Sequence, residues 1–121
     1  MREILFKAKR LDTGEWVEGY YVKAELLNCT GCEHCIIEYS SKGGTHSVDP
    51  STVCQYTGLT DKNGKKIFEG DVVDCKTTLY YLHSFEICWS DKSAAWIVSK
   101  GLNKFKVDSS FEYEITRNIH D

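Results

Sequence analysis

Polar and apolar residues alternate along much of this chain with the two-residue period of β-strands. Residues 4–10 alternate loosely in this way, and residues 16–22 are rich in aromatic and β-branched side chains. A turn containing Gly14 separates the two stretches, so the chain is predicted to open with a β-hairpin. Further strand candidates follow at 36–39, 75–81, 85–89, 94–99 and 111–116. Because no segment keeps the 3.6-residue period of an amphipathic helix, the pattern predicts a mostly β protein.

Glycine, asparagine and proline mark the turns between these strands. The pair Asn63-Gly64 predicts a hairpin turn of type I′, because both residues tolerate a positive φ. Gly43-Gly44 is a second hairpin signal, and Gly70 supplies a sharp bend before an apolar pair. Pro50 lacks a backbone N–H, so it indicates either the end of an edge strand or the start of one helical turn. Residues 100–110 are polar and are predicted to form a loop.

The length and charge of the chain narrow the class of protein. A chain of 121 residues forms one domain or two small subdomains, and short strands with frequent turns favour a small barrel or a sandwich. The net charge of −3 argues against a general polyanion binder. The sequence shows neither a secretory signal nor an apolar run long enough to span a membrane. We therefore expect a cytoplasmic protein with reduced cysteines and no membrane partner.

Three of the six cysteines follow one another at two-residue gaps, namely Cys29, Cys32 and Cys35. This spacing lets thiolates turn inward around one zinc ion, which needs four ligands. Candidate fourth ligands are the imidazole and thiol groups of His34, His46 and Cys54. The alternative is a loop of free thiols with Cys35 in the core, and we favour it because no separate second CxxC pair is present. We therefore predict no cofactor, with zinc at the three cysteines as the alternative.

Other metal and redox chemistry is disfavoured by what surrounds the candidate groups. A redox dithiol would need a βαβ context, and an iron–sulfur cluster would need a fourth cysteine at the position of Tyr39. Calcium is rejected because the stretch 61–64 lacks the third oxygen ligand of an EF-hand loop. The remaining cysteines, which lie in or beside strand candidates and are predicted to be buried thiols, are Cys54, Cys75 and Cys88.

No set of residues is predicted to be catalytic. His46 could act as a base toward Cys54, and it could equally act on Ser47 with the help of Asp49. Nothing fixes that geometry, because the chain has no nucleophile elbow and no cysteine-enzyme signature. A hairpin strand with polar side chains facing outward accounts for the same residues. We therefore expect that this protein is not an enzyme.

Basic residues near aromatic ones could form a platform for single-stranded nucleic acid. The basic residues are Arg2, Lys7, Lys9, Arg10, Lys62, Lys65 and Lys66, and the aromatic residues are Trp16, Tyr56 and Phe68. Acidic neighbours dilute the positive charge, and aromatic side chains of small barrels usually belong to the core. Nucleic-acid binding is therefore the second functional hypothesis.

Motifs at the beginning, middle and end of the chain point to one family. The central motif is Gln55-Tyr56-Thr57-Gly58-Leu59, then Asp61-Lys62-Asn63-Gly64-Lys65, then Ile67-Phe68-Glu69-Gly70-Asp71-Val72-Val73. The flanking motifs are Arg2-Glu3-Ile4-Leu5-Phe6, Gly14-Glu15-Trp16-Val17-Glu18-Gly19-Tyr20, Val48-Asp49-Pro50 with Thr52-Val53, and Tyr113-Glu114-Ile115 with Asn118-Ile119-His120-Asp121. Together they resemble the YopX family of phage and prophage proteins.

The resemblance implies a fold and leaves the chemistry open. It implies an N-terminal β-hairpin subdomain over residues 1–53 and a C-terminal SH3-like small barrel over residues 54–121. It carries over no catalytic residue, and the stretch 29–35 lies where family members vary, so no metal site is implied. We predict a phage or prophage accessory protein that acts as a protein-interaction or structural module, through a protein partner or self-association. The alternative is a nucleic-acid-binding small barrel.

Overall fold

Antiparallel strands make up almost all of the regular structure in this chain. The structure, a computed structural model, describes residues 4–23, 34–38, 44–108 and 110–121. Within these ranges the strands are β1 (Phe6–Lys9), β2 (Trp16–Lys23), β3 (His34–Ile37), β4 (Thr45–Ser47), β5 (Cys54–Thr60), β6 (Lys66–Phe68), β7 (Asp71–Lys76), β8 (Tyr81–Ser90), β9 (Ala95–Lys100), β10 (Asn103–Lys106) and β11 (Glu112–Asn118). One 3-10 turn, Pro50–Thr52, precedes β5. The prediction of a mostly β protein is confirmed.

The chain divides into two compact units, residues 1–56 and 57–121. In the first unit, β4, β3, β2, β1 and the start of β5 lie side by side in that order. Ala8 of β1 lies opposite Val17 of β2, and both belong to a buried cluster with Ile36 and Val48. The alternation of the opening hairpin therefore places one face of it in a core, as the pattern predicted. The expected subdomain boundary between residues 53 and 54 stays a prediction.

Two local features of the first unit follow directly from residue type. A Cβ atom on Gly19 would lie 2.1 Å from the carbonyl oxygen of Ile37, so only glycine lets β2 approach β3 this closely. Pro50 is the first residue of the 3-10 turn, and the Asp49 side chain accepts the backbone N–H of Ser51 at 3.0 Å. Of the two roles considered for Pro50, the helical turn is the one observed.

The second unit contains the end of β5, paired with β6, and a five-stranded antiparallel sheet. The strand order of that sheet is β10-β9-β8-β7-β11. Its core consists of alternating residues from these strands and from β6: Ile67, Val73, Cys75, Phe85, Ile87, Val98 and Tyr113. In the described part of the chain the order is linear, with β10 at one end and β11 at the other. This open sheet does not confirm the closed SH3-like barrel.

Three local predictions were wrong, each because of a turn. The strand predicted over 75–81 is interrupted, since β7 ends at Lys76, β8 begins at Tyr81 and a turn joins them. The loop predicted over 100–110 contains β10, because Gly101 adopts a φ of +60° and allows a tight return. The hairpin at Asn63-Gly64 is present but is not of type I′.

The geometry of that hairpin turn explains the correction. Of the pair Asn63-Gly64, only Gly64 has a positive φ, at +81°. The Gly64 N–H donates to the carbonyl oxygen of Asp61 at 3.0 Å, which closes a four-residue turn one position earlier than expected. The Asp61 carboxylate also accepts the N–H groups of Asn63 and Lys65, each at 2.9 Å. An aspartate at the start of the turn therefore decides its type.

Candidate functional site: an edge strand and its groove

An open groove of about 530 Å³ lies at one end of the five-stranded sheet, between the β7–β8 turn and the chain that runs from β10 to β11. Most of its lining is apolar. The lining residues are Thr77, Thr78, Leu79, Tyr80, Leu82, Phe105, Lys106, Val107, Asp108 and Phe111. A groove of this size and composition suits an apolar side chain of a ligand or partner.

The β7–β8 turn holds two apolar side chains out toward solvent at the groove wall. The Thr77 hydroxyl accepts the N–H of Tyr80 at 2.8 Å and that of Leu79 at 3.2 Å. The Thr77 N–H also donates to the carbonyl oxygen of Tyr80 at 2.9 Å. These bonds fix the turn while Leu79 remains 81% exposed and Tyr80 62% exposed. Leu79 and Tyr80 are adjacent and both line the groove, so they form a contiguous apolar patch at its wall.

The opposite wall continues from the core of the unit. Phe105, on the exposed strand β10, lies with its ring centroid 6.0 Å from that of Phe85 and is 40% exposed. Leu82, Val107 and Phe111 pack against the buried cluster and also line the groove. The groove is therefore an opening onto the edge of the core.

Tyr113 fixes the chain between β10 and β11. Its hydroxyl accepts the N–H of Asp108 at 3.0 Å and donates to the Asp108 carbonyl oxygen, also at 3.0 Å. Burial raises the pKa of Tyr113 to about 12, so the phenol is a proton donor at neutral pH. The Asp108 carboxylate accepts the N–H of Ser110 at 2.8 Å, and this bond lowers its pKa. The groove wall is thus held by a buried phenol.

Strand β10 is an open edge of the sheet. Within the described residues it pairs with β9 alone, and all four of its residues are exposed. The Val107 N–H donates to the carbonyl oxygen of Trp96 at 3.0 Å, and Phe105 lies opposite Val98. Hydrogen-bonded and non-bonded pairs alternate along antiparallel strands. The N–H and C=O groups of Lys104 and Lys106 therefore point away from β9.

The other end of the sheet is covered. The Lys62 N–H donates to the carbonyl oxygen of Tyr113 at 2.8 Å, and the Ile115 N–H donates to the Asp61 carboxylate at 3.2 Å. Burial alone would raise the pKa of Asp61, but the N–H donors at Lys65, Ile115 and Asn63 lower it below the ordinary value. The Lys62 ammonium lies 3.0 Å from the Glu114 carboxylate. The β5–β6 turn thus occupies the outer edge of β11, and the edge at β10 is the one left open for a partner.

The cysteine cluster is only partly placed by the structure. Cys29 and Cys32 lie outside the described residues, and the zinc hypothesis stays a prediction. Cys35 is fully buried in β3, opposite Ser47. His34 and His46 lie on the other face of that sheet because side chains alternate along a strand. Neither histidine is positioned to join the Cys35 thiol around one ion.

The two histidines have other neighbours. The hydroxyl of Tyr21 and Nδ1 of His34 are hydrogen-bonded, and their rings stack. Nε2 of His46 lies 3.0 Å from the Glu38 carboxylate. Among the described ranges, no group of three or more His, Cys, Asp or Glu side chains is arranged to hold a metal ion.

Of the remaining cysteines, Cys54 and Cys75 are buried, as predicted, whereas Cys88 is half-buried and lies on the face of β8 opposite the core residues Phe85 and Ile87. Cys54 is buried, and its thiol donates to the carbonyl oxygen of Thr52 at 3.2 Å. Burial raises the pKa of Cys75 to about 11, and it also raises that of the half-buried Cys88. These thiols stay protonated at neutral pH, which disfavours nucleophilic chemistry. Asp49, considered as part of a catalytic set, accepts N–H and O–H groups of Ser51 as the cap of the 3-10 turn.

The basic and aromatic residues are brought together only in part. Tyr56 and Phe68 are buried. The Lys7 ammonium lies 4.5 Å from the centre of the Trp16 ring, and that of Lys9 lies 5.5 Å from it. Arg10 is hydrogen-bonded to Asp12, Lys62 faces Glu114, and Arg2 lies outside the described residues. What the described residues show of the predicted platform is a small cationic cluster on the β1–β2 hairpin, formed by Lys7 and Lys9 beside Trp16.

Sequence reasoning missed the groove and the edge strand. The signal was present, since Lys104, Phe105, Lys106 and Val107 alternate polar and apolar. The run from Thr77 to Tyr81 also contains three consecutive large apolar or aromatic residues. The first signal was missed because residues 100–110 were expected to form a loop, and the second because residues 75–81 were expected to form one continuous strand.

The fold and the site together define a small mostly β protein in which the described residues leave the cationic edge strand β10 open beside an apolar groove. In the described ranges, no helix has the length and apolarity needed to cross a membrane. The family model YopX protein matches residues 5–121, so the chain belongs to the YopX family. The predicted resemblance is confirmed over nearly the whole chain. None of the curated proteins compared with the chain matches it.

Proposed function

We propose that this protein is a phage or prophage accessory protein that acts by binding another polypeptide chain at the β10 edge and its groove. The observation that carries the proposal is an exposed edge strand whose outward hydrogen-bonding groups border an open apolar groove. Strand addition to a sheet edge uses main-chain hydrogen bonds for affinity and side-chain pockets for specificity. Both components are adjacent here. This is a binding function, and the proposal includes no catalysis.

The asymmetry of the sheet supports this proposal. Proteins commonly cover or pair the ends of a sheet, because unpaired strand edges promote association. Here the turn around Asp61 and Lys62 covers β11, while β10 has no strand on its outer side in the described part of the chain. The uncovered edge is also the one beside exposed Leu79 and Tyr80. Because open backbone groups and apolar surface lie side by side here, a binding site explains this edge better than poor protection does.

The finer fold and location are part of the same proposal. The four antiparallel strands β7 to β10 are neighbours in sequence order, and β11 returns to pair with β7, which supports an SH3-like arrangement of the second unit. Phage or prophage origin rests on the family resemblance and implies a bacterial cytoplasm as the place of action.

Peptide selection tests the proposed function without assuming the ligand. Immobilised protein would be used to select binders from a random peptide display library, and their dissociation constants would be measured by fluorescence polarisation. Leu79→Ser removes an apolar wall, and burying a leucine side chain contributes about 1.5–3 kcal/mol, so affinity should fall about tenfold or more. Leu102→Ser is the matched control, because Leu102 is an even more exposed leucine in a turn but does not line the groove. Recovery of no binder, or equal loss in both variants, would contradict the proposal.

Nucleic-acid binding is the second candidate, and the cluster of Lys7, Lys9 and Trp16 favours it. A ring flanked by two cations can stack on a base while the cations contact phosphates. A fluorescent oligothymidine should then bind with an affinity that falls steeply as salt is raised. Lys7→Gln combined with Lys9→Gln should reduce both the affinity and the salt slope. Absence of binding at low salt would remove this candidate.

A further inference from the structure

We infer that the β10 edge takes an extended acidic segment in which two carboxylate side chains flank one apolar side chain. This inference rests on the proposed function and specifies the chemistry of its partner. It follows from three properties of β10: which backbone groups face outward, which side chains lie on each face, and what a second copy of the same strand would meet.

The backbone of β10 offers a short, complete hydrogen-bonding edge. Phe105 and Val107 direct their N–H and C=O groups toward β9, as the bond from Val107 to Trp96 at 3.0 Å indicates. Lys104 and Lys106 therefore present two N–H donors and two C=O acceptors outward. A partner strand of about four or five residues satisfies all of them.

The side chains of β10 divide by charge between the two faces of the sheet. Lys104 and Lys106 are two residues apart, so they share one face, and Phe105 lies on the other face beside the groove. A strand added to this edge places its own side chains directly opposite these residues. Carboxylates then face Lys104 and Lys106, and the residue between them points toward Phe105 and the groove. The expected pattern is acidic, apolar, acidic.

The carboxylate that shares the face of the two lysines lies toward the body of the sheet, away from its open edge. Glu86 lies on the same face as Lys104 but two strands away, with Ser99 between them in the register. Asp108 lines the groove, and its carboxylate accepts hydrogen bonds from Ser110. The two lysines are therefore the charges closest to an added strand.

The same lysines disfavour a second copy as the occupant. Two β10 strands related by a two-fold axis pair antiparallel, and their outward-facing residues must hydrogen-bond to one another. With Phe105 at the axis, Lys104 of one copy lies opposite Lys106 of the other. Like charges directly opposite each other across a strand pair are destabilising. Lysine on this edge thus blocks self-pairing and selects a partner of opposite charge.

Defined peptides test this inference. The probe is a fluorescein-labelled eight-residue peptide that alternates glutamate with leucine, and the control peptide has lysine at every glutamate. Fluorescence polarisation at low ionic strength should give at least about tenfold tighter binding of the acidic peptide, with a difference that shrinks in high salt. A third peptide, N-methylated at alternate amides on the pairing edge, should lose binding because it cannot donate to β10. Equal binding of the acidic and basic peptides, or full binding of the methylated one, would overturn the inference.

Charge reversal in the full-length protein provides the second arm. Lys104→Glu combined with Lys106→Glu should weaken the acidic peptide about tenfold or more and improve the basic one. Lys92→Glu is the control, because Lys92 is an exposed residue of the β8–β9 turn and is not part of β10. Unchanged far-UV circular dichroism would establish that the double variant folds. Equal response of the two variants would overturn the charge assignment.

The outcome separates this inference from the function on which it rests. If library peptides bind at the groove but carry no acidic alternation, the partner chemistry is wrong and the binding function stands. If neither library peptides nor the acidic probe binds, both are wrong. If light scattering finds a dimer that Lys104→Glu with Lys106→Glu abolishes, the edge is a contact between copies and the inference is wrong.

Discussion

Replacing the buried Asp61 is expected to destabilise the second unit strongly. The carboxylate is only 6% exposed and accepts three backbone N–H groups, from Asn63 and Lys65 at 2.9 Å and from Ile115 at 3.2 Å. It therefore shapes the β5–β6 turn and fastens that turn to β11. Asp61→Ala removes both acceptor oxygens and with them all three hydrogen bonds.

The size of the effect follows from those three bonds. A hydrogen bond to a charged group contributes about 1.5–3 kcal/mol, which would sum to more than 4 kcal/mol if the bonds were independent. They share one side chain, and water can reach the donors of Asn63 and Lys65 in the turn once it is removed. We therefore expect a loss of about 3 kcal/mol in the free energy of unfolding, which is a large part of a typical total of about 5–15 kcal/mol. Asp61→Asn keeps one acceptor oxygen and should lose about half as much.

Urea unfolding followed by tryptophan fluorescence and circular dichroism measures this loss. With an m-value of about 1–3 kcal/mol/M, the midpoint of Asp61→Ala should fall by about 1–3 M. Asp12→Ala is the control, because Asp12 is exposed and pairs with Arg10 on the surface, and it should change the midpoint little. If Asp61→Ala and Asp12→Ala have the same midpoint, the structural role assigned to the carboxylate is wrong.

The pH dependence of the same variants provides an independent check. The folded protein lowers the pKa of Asp61, so its carboxylate stabilises the fold fully above the unfolded pKa of about 4. That stabilisation is lost as the pH falls through the folded pKa. The difference in stability between the wild type and Asp61→Asn should therefore be constant near neutral pH and shrink below about pH 4. A difference that stays constant down to pH 2 would contradict this assignment.

Three other expectations follow from single sites. Gly19→Ala should lower the free energy of unfolding by more than about 3 kcal/mol, because the added Cβ would meet backbone atoms. At Gly58 the added Cβ would meet open space, so Gly58→Ala should lower it by only about 1–2 kcal/mol, on account of the positive φ. Equal urea midpoints for the two variants would contradict this. Tyr113→Phe leaves the Asp108 N–H without its acceptor and should cost about 1–2 kcal/mol at neutral pH. The folded state raises the pKa of Tyr113 to about 12. The wild type should therefore lose stability relative to Tyr113→Phe as the pH rises from about 10 toward 12. If the stabilities of the two proteins change in parallel over this pH range, the assignment is wrong. The favoured free thiols predict metal-free protein whose melting temperature ignores added zinc, whereas the alternative zinc site predicts one equivalent by elemental analysis that disappears when Cys29 and Cys32 are both serine.

Local pattern was sufficient for most strands and insufficient for the site. The alternation in 4–10 and 16–22 predicted a hairpin that the pairing of Phe6 with Gly19 confirms. Asn63-Gly64 predicted a hairpin in the right place, but the turn type depended on the Asp61 carboxylate. The β10 strand was missed because four exposed residues carry little hydrophobic signal. Strand propensity measures how a residue fits its neighbours, so an exposed edge strand is the element that sequence predicts least well.

The sequence by itself determined that this protein is mostly β and belongs to the YopX family, because strand period, turn residues and family motifs are properties of neighbouring positions. It also determined that Cys54 and Cys75 are buried thiols, since each lies within or at the start of a strand pattern. The same prediction was wrong for Cys88, which is half-buried because it alternates with the core residues of β8. Only the tertiary structure decided which sheet edge is open. Asp61 and Ile115 are 54 positions apart in the chain, and Leu79 and Phe105 reach the same groove from different strand connections. Those relations depend on how strands are ordered in the sheet, which no local pattern specifies.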